Sequence, residues 1–324
     1  IAKCAALIEE RVGPSEGAAA PGEAPAGGPR KVERRFTHLV PMHDGEGGRR
    51  TPFFLVAGMF GNVLNLRHLA HLIGADRPFY GLQARGLYGT DAPHETFVAA
   101  ATDYIAEMRA VQPQGPYLLG GFSGGGIIAH EITRQLEAEG EKVALLVLLD
   151  TPLPQRAPLS RADRLRIKWE NLAEGGAGFA LELLRRRLAR LTGGDDGATA
   201  ESAAPEGHQF HNAAIEAAFR AGLDRYAMQG WGGRVALFRP APQPRWTFGS
   251  RLIDQHREYI LPDNGWTVFT PDIRIFEVPG DHDSMVLEPN VRVLAARLRA
   301  TIAEAEAAAV AAGPASGPMA TAAE

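Results

Sequence analysis

Residues 115–132 read GPYLLGGFSGGGIIAHEI, and within them Gly121, Phe122, Ser123, Gly124 and Gly125 spell GxSxG between an apolar run and a helical pattern. A serine on the tight turn leaving a strand sits where the backbone is strained and crowded, so it needs flanking positions without a Cβ; Gly121 and Gly125 supply them. Such a turn pushes the hydroxyl outward. It also aims the first free N–H groups of the next helix at whatever the hydroxyl attacks, which makes a seat for a developing oxyanion. The chemistry predicted is attack on an acyl carbon. The bland alternative is an ordinary glycine-rich turn; the strand before and the helix after favour the reactive one.

Near its free pKa a serine hydroxyl is a poor nucleophile, so a base is required, and ten histidines offer candidates. His68 and His71 lie in a helical pattern, His130 sits in the helix after the serine, and His208 and His211 fall in an insertion; core or surface roles account for these. His282 differs, lying in VPGDHDSMV, a loop that leaves the last expected strand. The chain order serine, acid, histidine is the one used where a serine follows a strand in this way. The imidazole needs a buried carboxylate to fix its tautomer and stabilise its charge. Asp150 ends the apolar run VALLVLLD, at the carboxyl edge of the sheet where sites gather in open α/β sheets. The segment after the next strand, PAPQPRWTFGSR, contains no Asp or Glu, which leaves Asp150 as the acid. Asp281 and Asp283 flank the histidine and read as loop-shaping or solvated. A second oxyanion donor is expected from the loop after FFLVAGMFGN, residues 53–62, where the Met59 N–H would work beside that of Gly124.

Positioning these groups calls for a layered scaffold. Short runs at Phe53–Ala57, Phe79–Leu82, Tyr117–Phe122, Val143–Leu149, Arg234–Phe238 and Ile273–Val278 predict strands, several of them apolar almost throughout, as strands buried on both faces should be. Helical patterns at Ala101–Val111, Gly125–Glu139 and Asn290–Ala305 alternate with them, which predicts an α/β fold with a mostly parallel sheet. Residues 152–230 form a long insertion, helical in pattern but broken by GGAG and GGDDGATAESAAPEGH, and read as a helical lid. Ahead of the body, residues 1–12 place Ile1, Ala5, Ile8 and Val12 on one helical stripe, and residues 13–34 are glycine-, proline- and alanine-rich, the composition of a flexible linker. The folded body is expected over 35–308, with a loose tail over 309–324.

Composition narrows the function classes. Hydrophobic residues make up 45% and charged residues 22%, the balance of a globular protein. No apolar run reaches the roughly 18 residues a membrane span requires, and no secretory signal is present at the start, so the expected place is the cytoplasm with no membrane partner. The net charge of −4 gives no basic field for nucleic acid, and a single cysteine, Cys4, excludes an internal disulfide. From Arg156 to Arg190 basic residues outnumber acidic ones, with Arg185, Arg186 and Arg187 consecutive. This face is either solvated or meets a phosphate or an acidic partner.

From about Thr51 to Ala305 the chain resembles the terminal thioesterase domains of modular polyketide synthases and nonribosomal peptide synthetases, in the α/β-hydrolase superfamily. RPFYGLQARGL at 77–87, QPQGPYLLGGFSGGGIIAHEI at 112–132, GEKVALLVLLDTP at 140–152 and VPGDHDSMVLEPNV at 278–291 carry the resemblance, in order. It implies Ser123 as acyl-accepting nucleophile, His282 as general base and acid, and Asp150 as their carboxylate. Many relatives have His-Pro where this chain has Ala57-Gly58. Residues 1–12 likewise resemble the final helix of an acyl or peptidyl carrier domain, which implies an upstream carrier domain as partner and a carrier-bound acyl chain as substrate. The carrier's pantetheine-bearing serine is absent, so phosphopantetheine would belong to the substrate and the chain itself would need no cofactor and no metal. Release to water or to a nucleophile within the acyl chain is left open. The alternatives are a stand-alone editing thioesterase or esterase on small acyl substrates, and an interaction module that kept the fold without activity.

Overall fold

Runs of Val, Leu and Phe with no polar interruption can be strands only where both faces are covered, and the fold satisfies this. In a computed structural model that describes residues 36–46, 50–88, 91–154, 157–174 and 212–311, seven strands form the main sheet: β1 (Leu39–His43), β2 (Phe53–Val56), β3 (Phe79–Leu82), β4 (Tyr117–Phe122), β5 (Val143–Leu149), β6 (Val235–Pro240) and β10 (Ile273–Val278). Their order is β1-β3-β2-β4-β5-β6-β10. Only β1, paired with β3, is antiparallel; each other neighbouring pair is parallel.

Five α-helices lie wholly in the described residues: α1 (Arg67–Leu72), α2 (Phe97–Val111), α3 (Gly125–Ala138), α5 (Ala213–Arg225) and α6 (Val291–Ala311). A further one, α4, runs over 161–174. The period-2 alternation of the strands sorts the core into two layers. Phe53 and Leu55 of β2, Leu118 of β4 and Val147 of β5 pack with Leu69 of α1 and Leu294 and Leu298 of α6. Phe54, Val56, Leu119 and Leu148 pack with Tyr104 and Met108 of α2 and Ile128 and Ile132 of α3. Every connection between parallel neighbours therefore delivers its loops to the sheet edges, and the carboxyl ends of β2, β4, β5 and β10 meet at one edge.

The chain divides by its contacts into Ile1–Arg35 and Phe36–Glu324. The helix expected over 1–12, the linker over 13–34, the central part of the lid insertion with Arg185–Arg187, and residues 312–324 of the tail lie outside the described residues. Elsewhere the differences from expectation have local causes. Helix α2 starts at Phe97 instead of Ala101 because the Thr96 hydroxyl caps it, accepting the Ala99 N–H at 3.2 Å. Helix α6 runs to Ala311, past both the expected end at Ala305 and the start of the expected tail; its last residues are mostly alanine, the strongest helix former. Strand β1 was not expected, since Pro41 interrupts it. An edge strand tolerates a residue that cannot donate, and the register shifts between Pro41 and His43. A second small sheet, β7 (Trp246–Phe248), β8 (Arg251–Ile253) and β9 (Tyr259–Ile260), also escaped the sequence reading, its strands being too short for periodicity. Trp246, Phe248 and Ile253 of that sheet close a separate small core with Leu159 and Ile167 beside and on α4.

Candidate active site

Ser123 lies between the end of β4 and the start of α3 with φ 52°, a left-handed backbone unusual for a residue with a Cβ. The turn is closed by the Ser123 N–H donating to Leu149 O at 2.8 Å and the Gly126 N–H donating to Ser123 O at 3.1 Å. Its flanks admit no side chain. A Cβ on Gly121 would fall on the backbone of Gly125 and Gly126, and one on Gly125 would fall on the carbonyl of Ala57.

Asp150, one residue beyond β5, is also left-handed, with φ 44°. Its N–H donates to Phe238 O of β6 at 2.7 Å. One carboxylate oxygen, Oδ2, lies 2.8 Å from His282 Nδ1, and the other, Oδ1, accepts the Asn264 side-chain N–H at 3.2 Å. Asn264 too is left-handed, φ 52°, and its amide also reaches Thr151 O at 3.3 Å. The loop that presents it is fixed from below. The Arg239 guanidinium donates to the carbonyls of Leu261 and Pro262, and the Trp266 indole N–H donates to Thr151 O at 2.8 Å.

His282 sits after β10 in a loop organised by Asp281, whose Oδ1 accepts the N–H of Ser284 at 2.8 Å and its hydroxyl at 2.7 Å. The ring stacks on Phe122, centroids 5.3 Å apart at 26°. Its Nε2 is 2.9 Å from Ser123 Oγ. With Nδ1–H donating to Asp150, Nε2 is left to accept the serine proton. Burial alone would lower the His282 pKa, but the hydrogen bond and charge of Asp150, with Asp283 and Asp281 adding, hold it above the ordinary histidine value. For Asp150, burial pushes upward, and the bond and charge of His282, the Asn264 amide and the Arg239 charge outweigh it and hold the carboxylate below its usual range.

The hydroxyl opens onto a cavity of about 400 Å³ whose walls include Gly58, Met59, Phe60, Asn62, Asn65, Arg67, His68, Phe122 and Leu287. Among the described residues neither the Met59 nor the Gly124 N–H donates to another backbone group. A larger cavity of about 1150 Å³ lies at the opposite edge of the sheet, among residues preceding the strands such as Thr51, Pro116, Lys142 and Arg234, away from the serine. Chemistry, not volume, picks the smaller one.

The sequence-predicted residues thus meet in space: Ser123, His282 and Asp150 form one hydrogen-bonded chain, and Met59 lines the cavity beside them. Of the histidines set aside, His68 stands in the cavity wall, while His130 is fully buried and pushed by that burial down to about 4. Asp281 shapes the loop, as the sequence implied. Asn264 and Arg239 were missed; NG in LPDNGW marks a turn but carries no sign that its amide reaches a carboxylate 114 residues earlier. A separate cluster, His38, His94 and Asp103, brings possible metal-ligand atoms within 4.8 Å. There the Arg85 guanidinium, 3.3 Å from the Asp103 carboxylate, already supplies the positive charge, so the donor set suits an internal ion-pair network better than a cation.

Residues 51–285 match the thioesterase domain family. The chain belongs to that family. This thioesterase is 43% identical to polyketide synthase PksR of Bacillus subtilis over 119 residues, 37% of this chain and 4% of that protein. It is 27% identical to chondramide synthase of Chondromyces crocatus over 300 residues, 85% of this chain and 7% of that one. It therefore spans a small fraction of the length of these curated relatives. Among solved structures, the NocB thioesterase domain in covalent complex with a fluorophosphonate nocardicin G analog superimposes with a TM-score of 0.52 at 25% identity, covering 79% of this chain and 96% of that one. The fold is that of an α/β hydrolase, and the enzyme is a thioesterase of the serine-hydrolase type. Among the described residues no helix is long and apolar enough to cross a membrane.

Proposed function

We propose that the enzyme releases a polyketide or peptide acyl chain from a carrier-bound phosphopantetheine thioester by two acyl transfers through Ser123. His282 Nε2 takes the Ser123 proton as Oγ bonds to the thioester carbon. The C–O π pair becomes an oxyanion facing the N–H groups of Met59 and Gly124, and it collapses to expel the pantetheine sulfur, which takes the proton from His282. Asp150 holds the Nδ1–H tautomer and stabilises the imidazolium between the steps. In the second half His282 deprotonates water or a hydroxyl or amine of the chain itself, and the released product is a free acid or a ring. Phosphopantetheine comes and goes with the carrier domain, so the enzyme holds no cofactor or metal of its own and works in the cytoplasm alongside the assembly line that loads it.

The observation that carries this reading is the continuous relay from Ser123 Oγ to His282 at 2.9 Å and from His282 to Asp150 at 2.8 Å. The test is to treat the folded chain with an alkyl fluorophosphonate and locate the adduct by peptide mass spectrometry. The expected result is a single adduct on Ser123, loss of thioester turnover in step with labelling, and neither label nor turnover in Ser123→Ala. Turnover surviving in Ser123→Ala, or an adduct elsewhere, overturns the proposal.

A further inference from the structure

Among the described residues α4 is the first helix after Asp150 along the chain, and its start is held by one buried carboxylate. Asp163 has no exposed surface, and a charge in that position needs donors around it. Its Oδ2 accepts the Tyr259 hydroxyl at 2.7 Å and the Ser160 hydroxyl at 2.8 Å, and its Oδ1 accepts the Arg251 guanidinium N–H at 2.9 Å. The Tyr259 oxygen in turn accepts the Ser160 N–H at 3.0 Å. These bonds, that of Tyr259 first, hold the Asp163 carboxylate well below its usual range. Tyr259 lies on β9 and Arg251 on β8, so α4 is pinned to the small sheet. Its buried apolar residue, Ile167, packs into the small core and into neither layer of the main one.

From Tyr259 the chain reaches the catalytic acid with little slack. Tyr259 and Ile260 pair with Ile253 and Leu252 of β8. Leu261–Asn264 then close a turn, the Asn264 N–H donating to Leu261 O at 3.1 Å, and the side-chain amide at the end of that turn is the one on Asp150 Oδ1. Arg239 grips the turn from the main sheet, at Leu261 and Pro262, while Tyr259 grips from α4 the strand that feeds it. The chain leaving Asp150 meets the same turn: Leu153 Cδ1 stands 2.7 Å from where a Cβ of Gly265 would be. Hydrogen-bonded turns and packed side chains shift as units more readily than they stretch. A displacement at the start of α4 therefore has a short, stiff route to the Asn264 amide.

We infer that Tyr259 is a positioning residue for the catalytic acid, its bond to Asp163 tying the first helix of the insertion, through β9 and Asn264, to the Asp150 carboxylate. The inference rests on the acyl-transfer reading above and adds to it what couples the insertion to the proton relay. It is tested on the full chain with the N-acetylcysteamine thioester of octanoic acid, at a temperature where wild type and variants are folded by circular dichroism. Tyr259→Phe removes the bond and changes no charge, so a shift in the pH profile cannot come from a new field at His282. It should lower kcat about three- to tenfold with KM little changed, less than loss of the Asn264 bond itself, because only part of the displacement reaches the carboxylate. A loosened Asp150 pulls the imidazole pKa up less, so the acidic limb of kcat/KM should move down. In the double variant Tyr259→Phe with Asn264→Leu, kcat should stay within twofold of Asn264→Leu alone, since Tyr259 acts through that amide. Asp163→Asn, which leaves Tyr259 a neutral acceptor, replaces Tyr259→Phe if the latter does not fold, with the same expected fall in kcat and the same non-additivity. A kcat within twofold of wild type, an acidic limb that does not move in Tyr259→Phe, or losses that add in the double variant overturn the proposal. Failure of the acyl-transfer reading would look different, because wild type itself would then leave Ser123 unlabelled by fluorophosphonate.

Discussion

Ser123 and Asp150 share a left-handed backbone and stand at the ends of adjacent parallel strands, yet the protein holds them by different means. Around Ser123 the restraint is steric. The backbones of β4, β2 and α3 close to distances that exclude a Cβ on Gly121 or Gly125, so the turn has one geometry or none. Around Asp150 the restraint is polar and reaches it from a distant loop, through Asn264 on one oxygen and His282 on the other, with Arg239 fixing the loop beneath. Steric restraint fails abruptly, because packed backbones do not deform continuously. Hydrogen-bonded restraint fails by degrees, because each bond contributes about 1 to 3 kcal/mol when a charged partner is involved.

That contrast is open to direct attack. The largest effect is expected from Gly121→Ala, which should abolish fluorophosphonate labelling and lower the unfolding temperature together. Retention of more than a tenth of wild-type turnover would break the steric half of the comparison. Next comes Asp150→Asn, which preserves shape and removes the charge that fixes the imidazole tautomer; kcat should fall by about 10⁴-fold with the fold intact by circular dichroism. The smallest effect is assigned to Asn264→Leu. It removes one hydrogen bond to the carboxylate, so kcat should fall about 10- to 100-fold, the scale of a bond to a charged group, with KM little changed. The same variant sharpens the comparison through pH. In wild type the acidic limb of kcat/KM should have its midpoint above the ordinary histidine value of about 6.5, since the raised His282 pKa keeps the base protonated, hence inactive, to higher pH. Loosening Asp150 weakens that upward pull, and in Asn264→Leu the midpoint should move down. An unmoved limb would make Asn264 a purely structural residue.

Much of the fold was legible because it is written in local patterns. β3, β4, β5 and β10 occupy the predicted residues: β4 and β5, buried on both faces, announce themselves as unbroken apolar runs, and β10, an edge strand carrying Arg274 and Glu277, is marked by its β-branched and aromatic residues. GxSxG is local as well, its glycines marking close backbone approach. His282 and Asp150 were reached by order along the chain and by strand ends, which needed only the topology. Other features left no such trace. Pro41 hid an edge strand, and strands of two or three residues in β7–β9 carry no readable period. His68 was set aside as a helical residue, and only the path of the β2–α1 loop puts it in the cavity wall.

The sequence by itself determined which residue types do the chemistry and at which strand ends they emerge, because alternation, glycine placement and chain order act over a few residues at a time. Tertiary structure alone decided what steadies and walls them: the Asn264 amide on Asp150, the Arg239 anchor below it, and the Phe219 ring over Gly124. These contacts join segments far apart in the chain through single side chains, and a contact made once, across a long loop, imposes no pattern on the residues around it.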